Sequence, residues 1–140
     1  MNKTLFLNEA DLEALGEQFA NLANESSAVI KIIILEECDD LDHKVIELFK
    51  QYNLDKIDAR NSVMFVIVLK TRELFILGDV GITQKVGEEY WEFLQDLIIT
   101  EFKNGKFGNG ILKGVDQLGV QLIKFFPGKQ ESNIKSELIF

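Results

Sequence analysis

Two hydrophobic periods alternate along this chain. After Asn8, the residues Leu12, Leu15, Phe19 and Leu22 recur at three- and four-residue steps. That spacing predicts a core-facing helix, with Asn8 placed to cap its first turn. The run Ala28 to Leu35, AVIKIIIL, is short and rich in β-branched residues, which predicts a strand buried on both faces. Val45, Leu48, Phe49 and Tyr52 mark a second helix, and Ser62 to Leu69, SVMFVIVL, reads as a second buried strand after a loop through Asp55 and Asp58. Lys70, Thr71 and Arg72 turn the chain into ELFILG, the returning half of a hairpin. Beyond it, Val86, Tyr90, Leu94 and Leu97 form one helical stripe, and Ile111, Val115, Leu118, Leu122 and Phe125 form the next, with KNGKFGNG between them. Pro127 and Gly128 close the last helix.

A strand, a crossover helix and a parallel strand make a βαβ unit, and the hairpin adds an antiparallel third strand. The predicted fold class is α/β: a three-layer α/β/α sandwich with a small mixed sheet that contains one βαβ unit and one hairpin. Residues 1–128 form a single domain and 129–140 a C-terminal tail, too polar at its start to assign. In this topology the starts of the first two strands and the end of the third share one edge of the sheet. That edge gathers Glu25, Ser26 and Ser27, then Asp58, Arg60 and Asn61, then Gly78, Asp79 and Gly81.

Composition narrows the function classes. The chain is long enough, at 140 residues, to bury a core without disulfides or a structural metal. The net charge of −8, with no clustering of Lys and Arg, makes nucleic acid and anionic membranes poor partners and suits cations better. One cysteine and one histidine, Cys38 and His43, exclude disulfide frameworks, thiolate zinc sites and any site needing two imidazoles. The first residues lack the pattern of a signal peptide, and no run approaches the ~18 apolar residues of a membrane span. A cytoplasmic protein with no membrane insertion is expected.

Asp79 stands between glycines where a buried strand ends and a helix begins. Glycines there allow positive φ or close backbone approach, so that carbonyls and the carboxylate could face a hard cation, Ca²⁺ or Mg²⁺. Equally, Asp79 could cap the helix or close an Asx-turn. The acidic run EECDDLD, Glu36 to Asp42, lacks calcium-loop spacing and reads as a solvated turn in which Asp40 or Asp42 caps the second helix. FGNGILKG has no preceding strand and no Lys-Ser or Lys-Thr pair, so it is no phosphate loop. Ser26 and Ser27 lack a histidine base.

The segments ARNSVMFVIV, FILGDVGITQKVGEEYW, FKNGKFGNGILKGVDQLG and FFP, in order and spacing, resemble the TPM domain family, most specifically from Arg60 to Pro127. The resemblance implies an α/β/α sandwich and an association with divalent cations, chiefly calcium. It also implies an accessory or assembly role, or alternatively acid phosphatase activity on phosphate monoesters. By position, the family's Arg-Asn pair falls on Arg60 and Asn61, its Gly-Asp-x-Gly on Gly78, Asp79 and Gly81, and its Asn-Glu-Leu on Ser136, Glu137 and Leu138. Val29 stands where relatives often carry an acid. In a cation-binding interaction domain, Asp79 supplies the anionic oxygen, Asn61 a neutral one, and Asp58 or Glu25 a second charge. Arg60 then holds the carboxylates or meets an anionic group on a protein partner. In a metal-assisted phosphatase the same ion activates water and Arg60 clamps the phosphate. A scaffold that binds a partner without metal is the third reading.

Overall fold

A computed structural model describes residues 3–140. Met1 and Asn2, on which the expectation of a leaderless start rests, lie outside the described residues. A short helix α1 (Lys3–Phe6) leads into α2 (Glu9–Glu25). Asn8 caps α2 through a reciprocal box: its side chain accepts from the Asp11 N–H at 2.9 Å, and the Asp11 carboxylate accepts from the Asn8 N–H at 3.1 Å. Strand β1 (Ile30–Leu35), helix α3 (Leu41–Gln51), a 3-10 turn over Leu54–Lys56, and β2 (Val63–Val68) follow. Asp40 caps α3, and His43 is exposed in its first turn. The hairpin partner β3 (Glu73–Gly78) runs into α4 (Val80–Val86), α5 (Glu89–Lys103) and α6 (Phe107–Phe125). A last strand, β4 (Glu137–Ile139), lies parallel to β1.

The sheet order is β3-β2-β1-β4, with β1 and β2 parallel and β2 and β3 antiparallel. Ile30 sits beside Val63 and Val63 beside Gly78, so the expected three chain segments do meet at one edge. Side chains divide between two cores. Ile30, Ile32, Ile34, Phe65 and Ile67 pack under α2, α5 and α6 through Leu15, Leu22, Leu94, Ile98, Ile111 and Leu118. Val29, Ile33, Met64 and Val66 pack under α3 through Val45, Leu48 and Phe49. This is the expected α/β sandwich.

Three local features depart from the pattern. The stripe from Val86 to Leu97 spans two helices, because Gly87 takes φ 88° and ends α4 before α5 begins. The stripe survives the break, since Val86, Tyr90 and Leu97 all pack on the same core. The glycines of FGNG do not precede the last helix but lie inside it, and a Cβ at Gly108 or Gly110 would strike the Asp11 carboxylate or the Phe102 ring. Part of the polar tail becomes β4. Among the described residues no helix is long and apolar enough to cross a membrane.

Candidate functional site

Asp79 is the N-cap of α4, and its Oδ1 accepts from the Val80 N–H at 2.8 Å. Arg60 grips the same carboxylate side-on with one edge of its guanidinium: Nε donates to Oδ2 at 2.6 Å and Nη2 to Oδ1 at 2.8 Å. The side chain of Asp79 is 5% exposed and that of Arg60 44%. The bond from Asp79, then its charge, raise the Arg60 pKa above its ordinary value, and the charge of Asp55 adds to this.

The backbone completes the clamp. The Arg60 carbonyl accepts from Gly81 N–H at 2.8 Å and from Ile82 N–H at 3.2 Å, two of the donors that a helix start leaves unpaired. Asp79 N–H donates to the Ser62 carbonyl at 2.9 Å. Arg60 thus holds α4 through both its side chain and its main chain, and it adopts φ 51° to do so. Gly81 is required by proximity, since a Cβ there would lie 2.1 Å from the Ala59 carbonyl oxygen. Gly78 makes room for Trp91, whose ring would sit 2.1 Å from a Cβ. The Trp91 indole N–H donates to Thr83 Oγ1 at 3.0 Å, and that hydroxyl donates to the Gly78 carbonyl at 3.2 Å. Neither Gly78 nor Gly81 has positive φ, so the carbonyl-aiming role expected of them is replaced by close packing.

The remaining candidates scatter. Asn61 is fully buried. Its Nδ2 donates to Ser27 Oγ at 3.2 Å, and its Oδ1 has no partner among the described groups. Ser62 is equally buried, with an unpaired hydroxyl. Asp58 is exposed, and Glu25 lines a cleft between α2 and α6 that shares no residue with the groove of Arg60 and Asp79. Asp55, a loop residue in the sequence pattern, joins the site. It lines a groove of about 290 Å³ with Arg60, Asp79, Ile46, Phe49 and Val80, and its Oδ1 is buried without a partner.

A hard divalent ion needs six or more oxygens, among them carboxylates with open lone pairs. Three hydrogen bonds already fall on the Asp79 carboxylate, two on Oδ1 and one on Oδ2, and a guanidinium charge lies against it. Among the described residues no three Asp, Glu, His or Cys side chains gather closely enough to hold a metal. As the side chains stand, the residues around Asp79 do not fit such an ion.

Comparison with known proteins agrees with the fold. The family model described as the TPM domain matches residues 1–121. Among solved structures, the BA42 protein of the psychrophilic bacterium Bizionia argentinensis superimposes with a TM-score of 0.83 at 22% identity over 95% of each chain. The N-terminal domain of a P. gingivalis protein superimposes with a TM-score of 0.67 at 17% identity, covering 86% of this chain and 78% of that one. At these identities the likeness is one of fold. No curated protein matches the chain.

Proposed function

The chain belongs to the TPM domain family, and from that premise we propose that it works by binding a protein partner rather than by catalysis, in an accessory role. The recognition element is the groove between α3 and the β3–α4 corner. One observation carries this reading: Arg60 spends two donors on Asp79 and keeps the other N–H groups of its fork for an incoming carboxylate. Two exposed apolar side chains flank it, for Ile46 is 55% and Val80 53% exposed at the groove's rim, beside the charged Lys50 and Asp55. An immobilised guanidinium flanked by the exposed aliphatic side chains of Ile46 and Val80, with Lys50 also lining the groove, fits an extended segment that presents an acidic group beside hydrophobic residues.

The phosphatase alternative needs a cation that activates water, and a cation at Asp79 competes with Arg60 for the carboxylate. The same competition applies to a Ca²⁺- or Mg²⁺-binding role.

The test is a titration of isotopically labelled protein with hexapeptides of aliphatic residues ending in a free carboxylate. Amides of Ile46, Lys50, Leu77 and Val80 are expected to shift first, and C-terminally amidated peptides to bind at least tenfold more weakly. Val80→Asp, at an exposed position, abolishes the response without unfolding the protein. If no such peptide shifts these amides while millimolar Ca²⁺ raises the melting temperature, the groove reading fails and the cation reading takes its place.

A further inference from the structure

The opposite edge of the sheet holds a second cavity, of about 250 Å³, that no part of the Arg60 site touches. Its floor is the carboxyl end of β2, where Ile67 and Leu69 are buried. In α/β sheets this is the end where ligands collect. Three phenylalanines wall it. Phe6, at the end of α1, packs against Phe102 at 5.4 Å between ring centroids and against Phe107 at 5.1 Å, and Phe102 and Phe107 lie 5.6 Å apart.

The mouth carries two cations, Arg72 from the hairpin turn and Lys103 from the last turn of α5. Both are exposed, and neither has an ion-pair partner among the described residues. Two carboxylates close to them in sequence have partners of their own. Glu101 accepts from Lys113 at 2.8 Å, and Glu73 accepts from the Thr71 hydroxyl at 2.6 Å. Arg72 occupies a position with φ 56°, where glycine or asparagine is the ordinary choice, and its side chain lines the cavity. On a chain of net charge −8, Arg72 and Lys103 place two cations at the opening of an aromatic-walled cavity, where a ligand within a Debye length would sense them.

We propose that this cavity binds a small anionic amphiphile, a short-chain aliphatic carboxylate, with its hydrocarbon among the three phenylalanines and its carboxylate between Arg72 and Lys103. The volume is below the usual range for drug-sized ligands, which restricts the occupant to one short chain. Charge at the mouth selects the acid over the alcohol or amine of the same length.

Octanoate, 1-octanol and octylammonium, each titrated into labelled full-length protein, test the assignment. Octanoate is expected to give saturable shifts at the amides of Leu69, Arg72, Phe102 and Lys103. Octanol should bind at least tenfold more weakly and octylammonium not at all. Arg72→Gln with Lys103→Gln, both exposed positions, should weaken octanoate tenfold or more at an unchanged melting temperature. The proposal is overturned by shifts that fail to saturate or that centre on Ile46 and Val80 instead. Equal affinity for octanol, or a double variant that binds octanoate as well as the parent, overturns it too.

Discussion

Lys31 and Glu137 are register partners on neighbouring parallel strands, and their side chains close the same pairing, with Lys31 Nζ 2.7 Å from Glu137 Oε1. The lysine side chain is 4% exposed and the glutamate 53%. Lys31 also donates to the Lys135 carbonyl at 2.8 Å and lies over the Tyr52 ring at 5.7 Å. A charge in the middle of a buried strand is thereby satisfied almost wholly by the C-terminal segment. Ser136 adds to the attachment by accepting from the Ile30 N–H at 2.9 Å.

Glu137→Ala strands a buried ammonium, so it should destabilise by about 1–3 kcal/mol, below the cost of breaking a fully buried pair because Glu137 is half in water. Lys31→Met combined with Glu137→Leu should recover most of that loss, since an apolar pair of similar volume carries no desolvation cost. A double-mutant cycle read by urea unfolding decides it. A Glu137→Ala variant within about 0.5 kcal/mol of the parent would show that Lys31 needs no carboxylate.

The glycines separate by what a Cβ would meet. Gly81→Ala drives a methyl into the Ala59 carbonyl, a backbone atom that cannot step aside, and should cost about 1–3 kcal/mol or more. Gly16→Ala, in α2 with nothing within 4 Å, should stabilise by about 0.5–1 kcal/mol through helix propensity. Opposite shifts of the thermal midpoint are the expected signature, and the same sign for both would contradict it.

What the sequence disclosed and what it hid follow from range. β1 and β2 were legible because strands buried on both faces read as unbroken apolar runs, and the strand order alone brought Arg60, Asn61 and Asp79 to one edge. Glu25 and Asp58 sit at that edge in topology, but the directions of their side chains depend on how α2 ends and how the 3-10 turn closes, which no periodicity encodes. Of the two readings of Asp79, cation ligand or helix cap, the structure shows the cap, and the same carboxylate pairs with Arg60. β4 was hidden because a three-residue strand has no period to detect, and its partner, the lone lysine in AVIKIIIL, is meaningful only beside Glu137.

Ser62 is buried with an unpaired hydroxyl, so Ser62→Ala removes an unsatisfied polar atom and leaves a methyl in its space. Stability should stay level or rise by up to about 1 kcal/mol. Asn61→Ala, by contrast, deletes the bond to Ser27 and opens a void, and should cost about 1–3 kcal/mol. Chemical unfolding of the two variants side by side tests the contrast, and a loss of more than 1 kcal/mol in Ser62→Ala would reveal a partner for the hydroxyl.

Burial pushes the Tyr90 phenol from its ordinary 10.0 up to about 12, while its hydroxyl donates to the Gln117 carbonyl at 3.3 Å. The folded state therefore holds this proton more tightly than the unfolded chain does. The resulting stabilisation is fully present below pH 10 and is lost as the pH rises from about 10 to about 12. Tyr90→Phe should be about 1 kcal/mol less stable than the parent at neutral pH for want of the hydrogen bond. Every other side chain is common to the two proteins, so the gap between the two unfolding free energies isolates the phenol. That gap should narrow steadily across the window when measured by urea unfolding at several pH values, and a gap that stays constant would mean that the Tyr90 proton is held no more tightly folded than unfolded.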